Sequence, residues 1–175
     1  MLRVTGGEFR GTRLFCPPNI RPTSGKTKEY IFSQLVDIPP GYRVLDLFAG
    51  CGALGIEALS RGAKEAVFVD KSAKSIGAVR NNLEKLRIKA KVIRADAKIF
   101  IRKPVHELFD LILIDPPYDN YKPAEIIEAT AKNFAADNAL IVYEMSSSEP
   151  EPDVSGAQLL SLKKMGDTTI GIWKK

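Results

Sequence analysis

The chain has 175 residues, of which 45% are hydrophobic and 27% are charged, and its net charge is +5; this composition is typical of one globular domain. No apolar run approaches the roughly 18 residues of a membrane span, and residues 1–10 lack the apolar stretch of a secretory signal. These features argue against a membrane protein, and we expect a cytoplasmic monomer with one hydrophobic core.

The N-terminal part is predicted to form a small, basic extension. Residues 2–5 and 12–16 are predicted to pair as a hairpin across Gly6 and Gly7, and residues 25–36 to form a helix. Residues 1–45 contain seven Lys or Arg against three Asp or Glu, whereas the other 130 residues contain 19 against 18. A cationic segment on a nearly neutral body suits binding to a polyanion, although many charge runs are only solvated surface.

From Arg43 onward, short apolar runs alternate with helical patterns, which is typical of a parallel sheet covered on both faces. Strands are predicted at residues 43–48, 66–70, 91–95, 109–115 and 139–144. Helices are predicted at residues 53–61, around the apolar positions 76, 79, 83 and 86, and at residues 123–134. Residues 159–165 and 168–174 flank a Gly166-Asp167 turn and are predicted to form a terminal hairpin. The predicted fold class is therefore α/β.

The thiols and the imidazole do not predict a metal site. Cys16 and Cys51 are far apart and lack the spacing of zinc ligands, so we expect free thiols and no metal. The sole histidine, His106, lies in a polar stretch and is interpreted as a surface residue.

A glycine-rich segment follows the first predicted strand and predicts a nucleotide or nucleoside site. Gly50, Gly52 and Gly55 form the pattern G-x-G-x-x-G, which allows a tight turn and a close approach of the backbone to a ligand. Asp70 ends the second predicted strand, where a carboxylate can accept hydrogen bonds from ribose hydroxyls. This spacing does not separate a nicotinamide dinucleotide from S-adenosylmethionine. Asp46 favours S-adenosylmethionine, since a carboxylate ahead of the glycines repels a pyrophosphate and attracts an ammonium group. The alternative is a carboxylate that caps a turn.

The motif Asp115-Pro116-Pro117-Tyr118 directly follows the strongest predicted strand and points to a reaction on a base amine. The lone pair of an exocyclic base amine is delocalised into the ring, so the nitrogen is a poor nucleophile. The Asp115 carboxylate and the Pro116 carbonyl can each accept an N–H, which aims the lone pair at a methyl donor. Pro116 and Pro117 stiffen the loop, and Tyr118 can stack on an unstacked base.

With these motifs the chain resembles the class I S-adenosylmethionine methyltransferases, and more narrowly the bacterial RsmD-type 16S rRNA guanine-N2 methyltransferases. The resemblance spans nearly the whole chain. It rests on these segments: Arg3-Val-Thr-Gly-Gly7, Arg10-Gly-Thr-Arg13, Arg21-Pro-Thr23, the block from Asp46 to Gly62, Asp115-Pro-Pro-Tyr118 and Val142-Tyr-Glu144.

The resemblance implies a Rossmann-like, seven-stranded sheet with a reversed last strand, in a domain of residues 41–175. It implies that the extension, residues 1–40, contacts 16S rRNA within a 30S subunit or an assembly intermediate, through Arg10, Arg21 and Thr23. S-adenosylmethionine is the implied cofactor. Its implied site consists of Asp46, Phe48, Gly50, Gly52, Asp70, Lys71, Asp96 and Ala97. For Asp96, which follows the third predicted strand, an ordinary helix N-cap is the alternative.

Three other functions remain open from the sequence. Methylation of adenine or cytosine amines in DNA needs the same tetrapeptide, although the compact chain has no evident DNA-recognition domain. A nicotinamide-dependent oxidoreductase would account for the glycines and Asp70 but would leave residues 115–118 without a role. A non-catalytic RNA-binding assembly protein would use only the basic extension.

Overall fold

The computed structural model describes residues 2–18, 20, 23–35, 38–103, 107–117 and 121–175. Within these ranges, seven strands form one sheet: β1 Arg43–Leu47, β2 Glu65–Asp70, β3 Lys91–Arg94, β4 Phe109–Ile114, β5 Ala135–Ser146, β6 Gln158–Met165 and β7 Thr168–Lys174. The helices in these ranges are α1 Gly25–Gln34, α2 Ala53–Ser60, α3 Ala73–Lys85, α4 Ala97–Phe100 and α5 Pro123–Asn133. None of them is both long and apolar enough to cross a bilayer.

The strand order β3-β2-β1-β4-β5-β7-β6 confirms the predicted fold class. The first five strands pair in parallel, whereas the last strand, β7, runs antiparallel to both β5 and β6. The chain builds outward from β1 to β3 and then returns to place β4 on the other side of β1. This reversal creates a topological switch point between β1 and β4, where open α/β sheets bind ligands.

The alternation of side chains along the strands divides the core into two layers. Val44, Leu111 and Val142 face one cluster, which α1, α2 and α3 cover. Leu45 and Ile112 face the other cluster, which α4 and α5 cover. Because both faces are covered, the central strands are apolar at nearly every position, as expected for a parallel sheet.

Several element boundaries differ from the predicted ones. Strand β5 begins at Ala135, four residues early, because a register shift against β4 accommodates the polar residues before Ala139, including Asn138 with φ 66°. The predicted N-terminal hairpin is reduced to one bridge between Arg3 and Arg13 with flanking backbone hydrogen bonds. Helix α1 ends at Gln34, and Val36 lies outside the described residues.

A buried ion pair attaches the extension to the sheet domain. Lys28 of α1 and Glu57 of α2 have fully buried side chains, and their Nζ and Oε2 atoms lie 3.1 Å apart. Glu57 also accepts hydrogen bonds from the backbone N–H and the hydroxyl of Thr5, both at 2.8 Å, from Gly6 N at 2.7 Å and from Arg61 Nε at 2.9 Å. Burial acts to raise the pKa of Glu57, but the donors of Thr5 and Lys28 outweigh it and lower that pKa.

The Glu57→Gln variant is expected to lose about 3–5 kcal/mol of unfolding free energy, because it leaves the Lys28 ammonium buried without its counter-charge. The double variant Glu57→Gln/Lys28→Met is expected to recover part of that loss, because it removes both charges. Urea unfolding of the unaltered protein, of the single variants Glu57→Gln and Lys28→Met, and of the double variant measures the cycle.

The matched control is Glu65→Gln, which removes a partner of the partly exposed Arg43–Glu65 pair and is expected to cost less than about 1 kcal/mol. Equal losses for Glu57→Gln and Glu65→Gln would contradict the role assigned to the buried pair.

Candidate functional site

A cavity of about 410 Å³ opens at the carboxyl ends of the strands on both sides of the switch point. Four carboxylates of the described residues line it, each at or near the end of a different strand: Asp46 of β1, Asp70 of β2, Asp115 after β4 and Glu144 of β5. A parallel sheet brings these positions together because all its strands end at one edge. The site is therefore acidic in a basic protein.

Asp46 is almost fully buried beneath the first turn of α2. Its Oδ2 atom accepts a hydrogen bond from Gly55 N at 2.8 Å. Burial, and to a smaller extent the charge of Asp70, raises the pKa of Asp46 to about 7, although the Gly55 N–H acts to lower it. A Cβ at Gly55 would lie 2.4 Å from the ring of Phe68 and 2.9 Å from Asp46 Oδ2, so this close packing requires glycine.

The loop between β1 and α2 is shaped by residues with positive φ and fixed by Asp70. Phe48 has φ 61° and Gly50 has φ 55°. Asp70 Oδ2 accepts from Gly50 N at 2.9 Å, and Oδ1 accepts from Ser72 N at 2.7 Å. Asp70 thus holds the glycine-rich loop and the start of α3 around the cavity, while its carboxylate also forms part of the wall.

The segment after β4 brings the predicted catalytic group into the same cavity. Asp115, Pro116 and Pro117 all line it, and Asp115 N donates to Leu47 O of β1 at 3.4 Å. Thr23, which belongs to the N-terminal extension, donates its hydroxyl to Asp115 Oδ2 at 2.6 Å. The extension therefore contributes directly to the site.

Two more contacts of the extension lie along the same wall. The side chain of Ile20 packs on Gly50, where a Cβ would meet Ile20 Cγ2 at 3.3 Å. Cys16 packs against the cluster around Cys51, and burial raises the pKa of both thiols. Both cysteines are free, as predicted, and neither has the lowered pKa of a reactive thiolate.

Most of the sequence-predicted site residues come together in the cavity wall: Thr23, Asp46, Phe48, Gly50, Asp70, Lys71, Ala97, Asp115, Pro116 and Pro117. Arg21, Tyr118 and His106 lie outside the described residues.

Three predicted site residues lie outside the cavity wall, and their binding roles stay predictions. Gly52, with φ 81°, is the N-cap of α2. Asp96 is the N-cap of α4, where its side chain accepts from Lys98 N at 2.9 Å and from Ile99 N at 3.3 Å. Arg10 is exposed on the extension.

The structure adds residues that the sequence analysis did not assign. Glu144 is buried in the cavity wall, with Thr168 Oγ1 at 3.3 Å from its Oε1. Tyr121 contacts Phe48 edge to face, with ring centroids 4.7 Å apart. Glu144 could have been found from its position at the end of the fifth strand, whereas Ile20 and Tyr121 carry no motif.

Comparisons with known proteins agree with this architecture. A family model described as "Conserved hypothetical protein 95" matches residues 2–174. The chain is 35% identical to the Bacillus subtilis protein "Putative rRNA methyltransferase YlbH" over 99% of both chains. It is 31% identical to "Ribosomal RNA small subunit methyltransferase D" of Haemophilus influenzae, over 99% of this chain and 93% of that protein. The solved structure of "Putative methyltransferase yhhF" from Escherichia coli superposes with a TM-score of 0.90 at 30% identity, over 99% and 97% of the two chains.

The raised pKa of Asp46 predicts a pH-dependent contribution to stability. Between about pH 4 and pH 7 the folded chain keeps a proton on Asp46 that the unfolded chain, with its ordinary pKa of 3.8, has released. The unfolding free energy of the ligand-free protein, relative to Asp46→Asn, is therefore expected to fall as pH rises through this window, by up to about 4 kcal/mol.

Denaturant unfolding of both proteins from pH 4 to pH 8 measures this difference, and the control is the same substitution at the exposed Asp153. If the difference in unfolding free energy between the unaltered protein and Asp46→Asn did not vary with pH, the raised pKa of Asp46 would be contradicted.

Proposed function

Because the chain belongs to the RsmD family of rRNA methyltransferases, we propose that it transfers a methyl group from S-adenosylmethionine to the exocyclic N2 amine of a guanine in 16S rRNA. The observation that carries the proposal is the position of Asp115 and the two prolines. They stand at the switch point, in the same cavity as Asp46, Asp70 and the glycine-rich loop. A nicotinamide-dependent oxidoreductase would leave this segment without a role.

The residues of the cavity fit S-adenosylmethionine, which supplies an electrophilic methyl group on a positively charged sulfur. Asp46 and Asp70 are carboxylates at or near the ends of neighbouring strands, and Gly50, whose N–H donates to Asp70, lines the same wall. Asp70 is placed to accept from the ribose hydroxyls. Asp46 is placed near the amino-acid end, where an ammonium group would favour its ionised form. Phe48, Lys71 and Ala97 complete the proposed cofactor wall.

The catalytic step is proposed to depend on positioning rather than on a nucleophile of the protein. Asp115 and the carbonyl of Pro116 accept the N–H groups of the target amine, so that the nitrogen lone pair points at the methyl group. The nitrogen would lose one of these protons as it gains the methyl group, and the Asp115 carboxylate would accept it. The prolines limit the motion of the loop, since their φ is fixed. Tyr118 is proposed to stack on the base.

The second carboxylate of the reaction site favours guanine over the other bases. Ile114 and Tyr143 are register partners on β4 and β5, and the residues that follow them, Asp115 and Glu144, both line the cavity. Guanine presents two adjacent kinds of donor, N1–H and N2–H₂, whereas adenine and cytosine present an amino group beside a ring acceptor. Two neighbouring carboxylates therefore complement guanine, with Asp115 on N2 and Glu144 on N1.

The extension, residues 1–40, is proposed to hold the RNA phosphates. Arg10 and Arg13 are exposed on it, and together with Arg21 they fit contacts to a polyanion. We propose that the substrate is a 30S subunit or its assembly intermediate in the cytoplasm, and that the protein acts as a monomer.

The Asp115→Ala variant is expected to reduce methyl transfer by roughly 100-fold or more, since it removes an oriented acceptor of the reacting amine, while the affinity for S-adenosylmethionine is retained. The assay uses labelled S-adenosylmethionine with 30S particles and 16S rRNA from cells that lack the enzyme. Nucleoside analysis of the product is expected to give N2-methylguanosine, and calorimetry measures cofactor binding.

The control is Asp153→Ala, which removes an exposed carboxylate. Methylated adenine or cytosine in duplex DNA, with no label in RNA, would replace the proposal by a DNA methyltransferase. Normal RNA binding without methyl transfer by the unaltered protein would favour the assembly-protein alternative.

The Glu144→Gln variant is expected to change base selectivity. At the mapped target, 2,6-diaminopurine keeps the reactive 2-amine but presents an acceptor at N1, which a carboxylate repels and a glutamine amide can satisfy. The unaltered protein is therefore expected to prefer guanine over diaminopurine by roughly 10- to 100-fold, and Glu144→Gln is expected to lose most of this preference.

Because the preference is a ratio of two rates for one protein, a smaller folded fraction does not change it. The matched control is Glu151→Gln on the surface. An unchanged ratio in Glu144→Gln would assign Glu144 a structural role and leave the methyltransferase proposal intact.

A further inference from the structure

The N-terminal extension contributes packing and hydrogen-bond contacts to the site, in addition to its positive charge. Among its described residues, Ile20 and Thr23 line the cavity, and Cys16 packs close to the glycine-rich loop. Cys16 packs beside Cys51, Ile20 packs on Gly50, and Thr23 donates its hydroxyl to the carboxylate of Asp115.

Thr23 is held too firmly and too deeply for a simple RNA contact. It is only 7% exposed, and it lies between two fixed points of the extension. On one side, the buried amide of Asn82 binds the backbone of Phe15 in both directions, at 2.7 and 2.8 Å, and also binds Cys51 O at 2.9 Å. On the other side, Ser24 caps α1, which the Lys28–Glu57 pair attaches to α2.

From this geometry we propose that Thr23 is a positioning residue for methyl transfer, which orients the Asp115 carboxylate toward the reacting amine. The inference rests on the proposed function, because it assigns Thr23 a role through Asp115. A threonine hydroxyl that donates to a carboxylate fixes the direction of the carboxylate oxygens, which accept the N–H groups of the amine. The 2.6 Å separation of Thr23 Oγ1 and Asp115 Oδ2 is short, as is typical of hydrogen bonds to charged oxygens.

This role couples RNA binding to the chemistry. The same extension that carries the exposed cations Arg10 and Arg13 also carries the hydroxyl that orients Asp115. Displacement of the extension would therefore misdirect the catalytic carboxylate, even with cofactor bound.

The test is a comparison of Thr23→Val with Thr23→Ser in the full-length protein. Valine keeps the shape of threonine and removes the hydroxyl, whereas serine keeps the hydroxyl. Thr23→Val is expected to lower kcat on 30S particles by roughly 10- to 100-fold, with the affinities for RNA and for S-adenosylmethionine within about threefold of the unaltered protein. Thr23→Ser is expected to retain kcat within about threefold.

Several results would overturn the proposal. A weaker RNA affinity with unchanged kcat would make Thr23 an RNA contact instead. An equal loss of kcat in Thr23→Val and Thr23→Ser would show that loss of the hydroxyl does not cause the effect, because serine retains the hydroxyl. This comparison holds even if valine disturbs the fold. Thr12→Val, the same substitution elsewhere in the extension, is the control and is expected to leave kcat unchanged. Absence of methyl transfer by the unaltered protein would instead refute the proposed function itself.

Discussion

The arrangement of the site depends on one buried carboxylate, that of Glu57. Its oxygens accept hydrogen bonds from Thr5 and Gly6 near the N-terminus, from Lys28 of α1 and from Arg61, the C-cap of α2. A buried charge is tolerated only when it is paired and fully hydrogen-bonded. Detachment of one of these segments would therefore leave the Glu57 carboxylate without some of its partners, which favours a structure in which all of them are attached. Since α2 begins where the glycine-rich loop ends, the extension and the glycine-rich loop share the same anchor. The placement of Thr23 on Asp115 follows from this attachment.

The extension, residues 1–40, differs from the rest of the chain in charge, but in the structure it is not a separate domain. The extension buries Val4, Leu14, Ile31 and Phe32 in the cluster that also covers one face of the sheet. One of the six cations in residues 1–40, Lys28, is buried in that core and not exposed to solvent. The exposed cations of the extension are consequently presented from a fixed position relative to the cavity. Under the proposed function, this rigidity sets the distance between the RNA backbone and the reacting base.

The sequence predicted the sheet domain well, because a covered parallel sheet leaves a strong signal of short apolar runs between helices. It also predicted that Asp46, Asp70 and Asp115 belong to one site, and the three line one cavity, because neighbouring parallel strands end at the same edge of the sheet. It could not show that Thr23 contacts Asp115, because the two lie 92 positions apart and belong to elements without a shared pattern. The burial of Lys28 could not be predicted either, since a lysine in a basic segment is ordinarily solvated. Only its partner on α2, Glu57, explains the burial. The sequence analysis missed the short helix α4, because four residues are too few to show a helical periodicity of apolar positions.

The opposite charges of the surface and the cavity have a consequence for turnover under the proposed function. Exposed cations of the extension attract the RNA backbone, while Asp46, Asp70, Asp115 and Glu144 give the cavity a negative field. Such a field attracts S-adenosylmethionine, whose sulfur is positively charged. Methyl transfer removes that charge, so the same carboxylates hold the neutral thioether product less strongly than the substrate. The acidic cavity thus favours substrate over product without any group that must move.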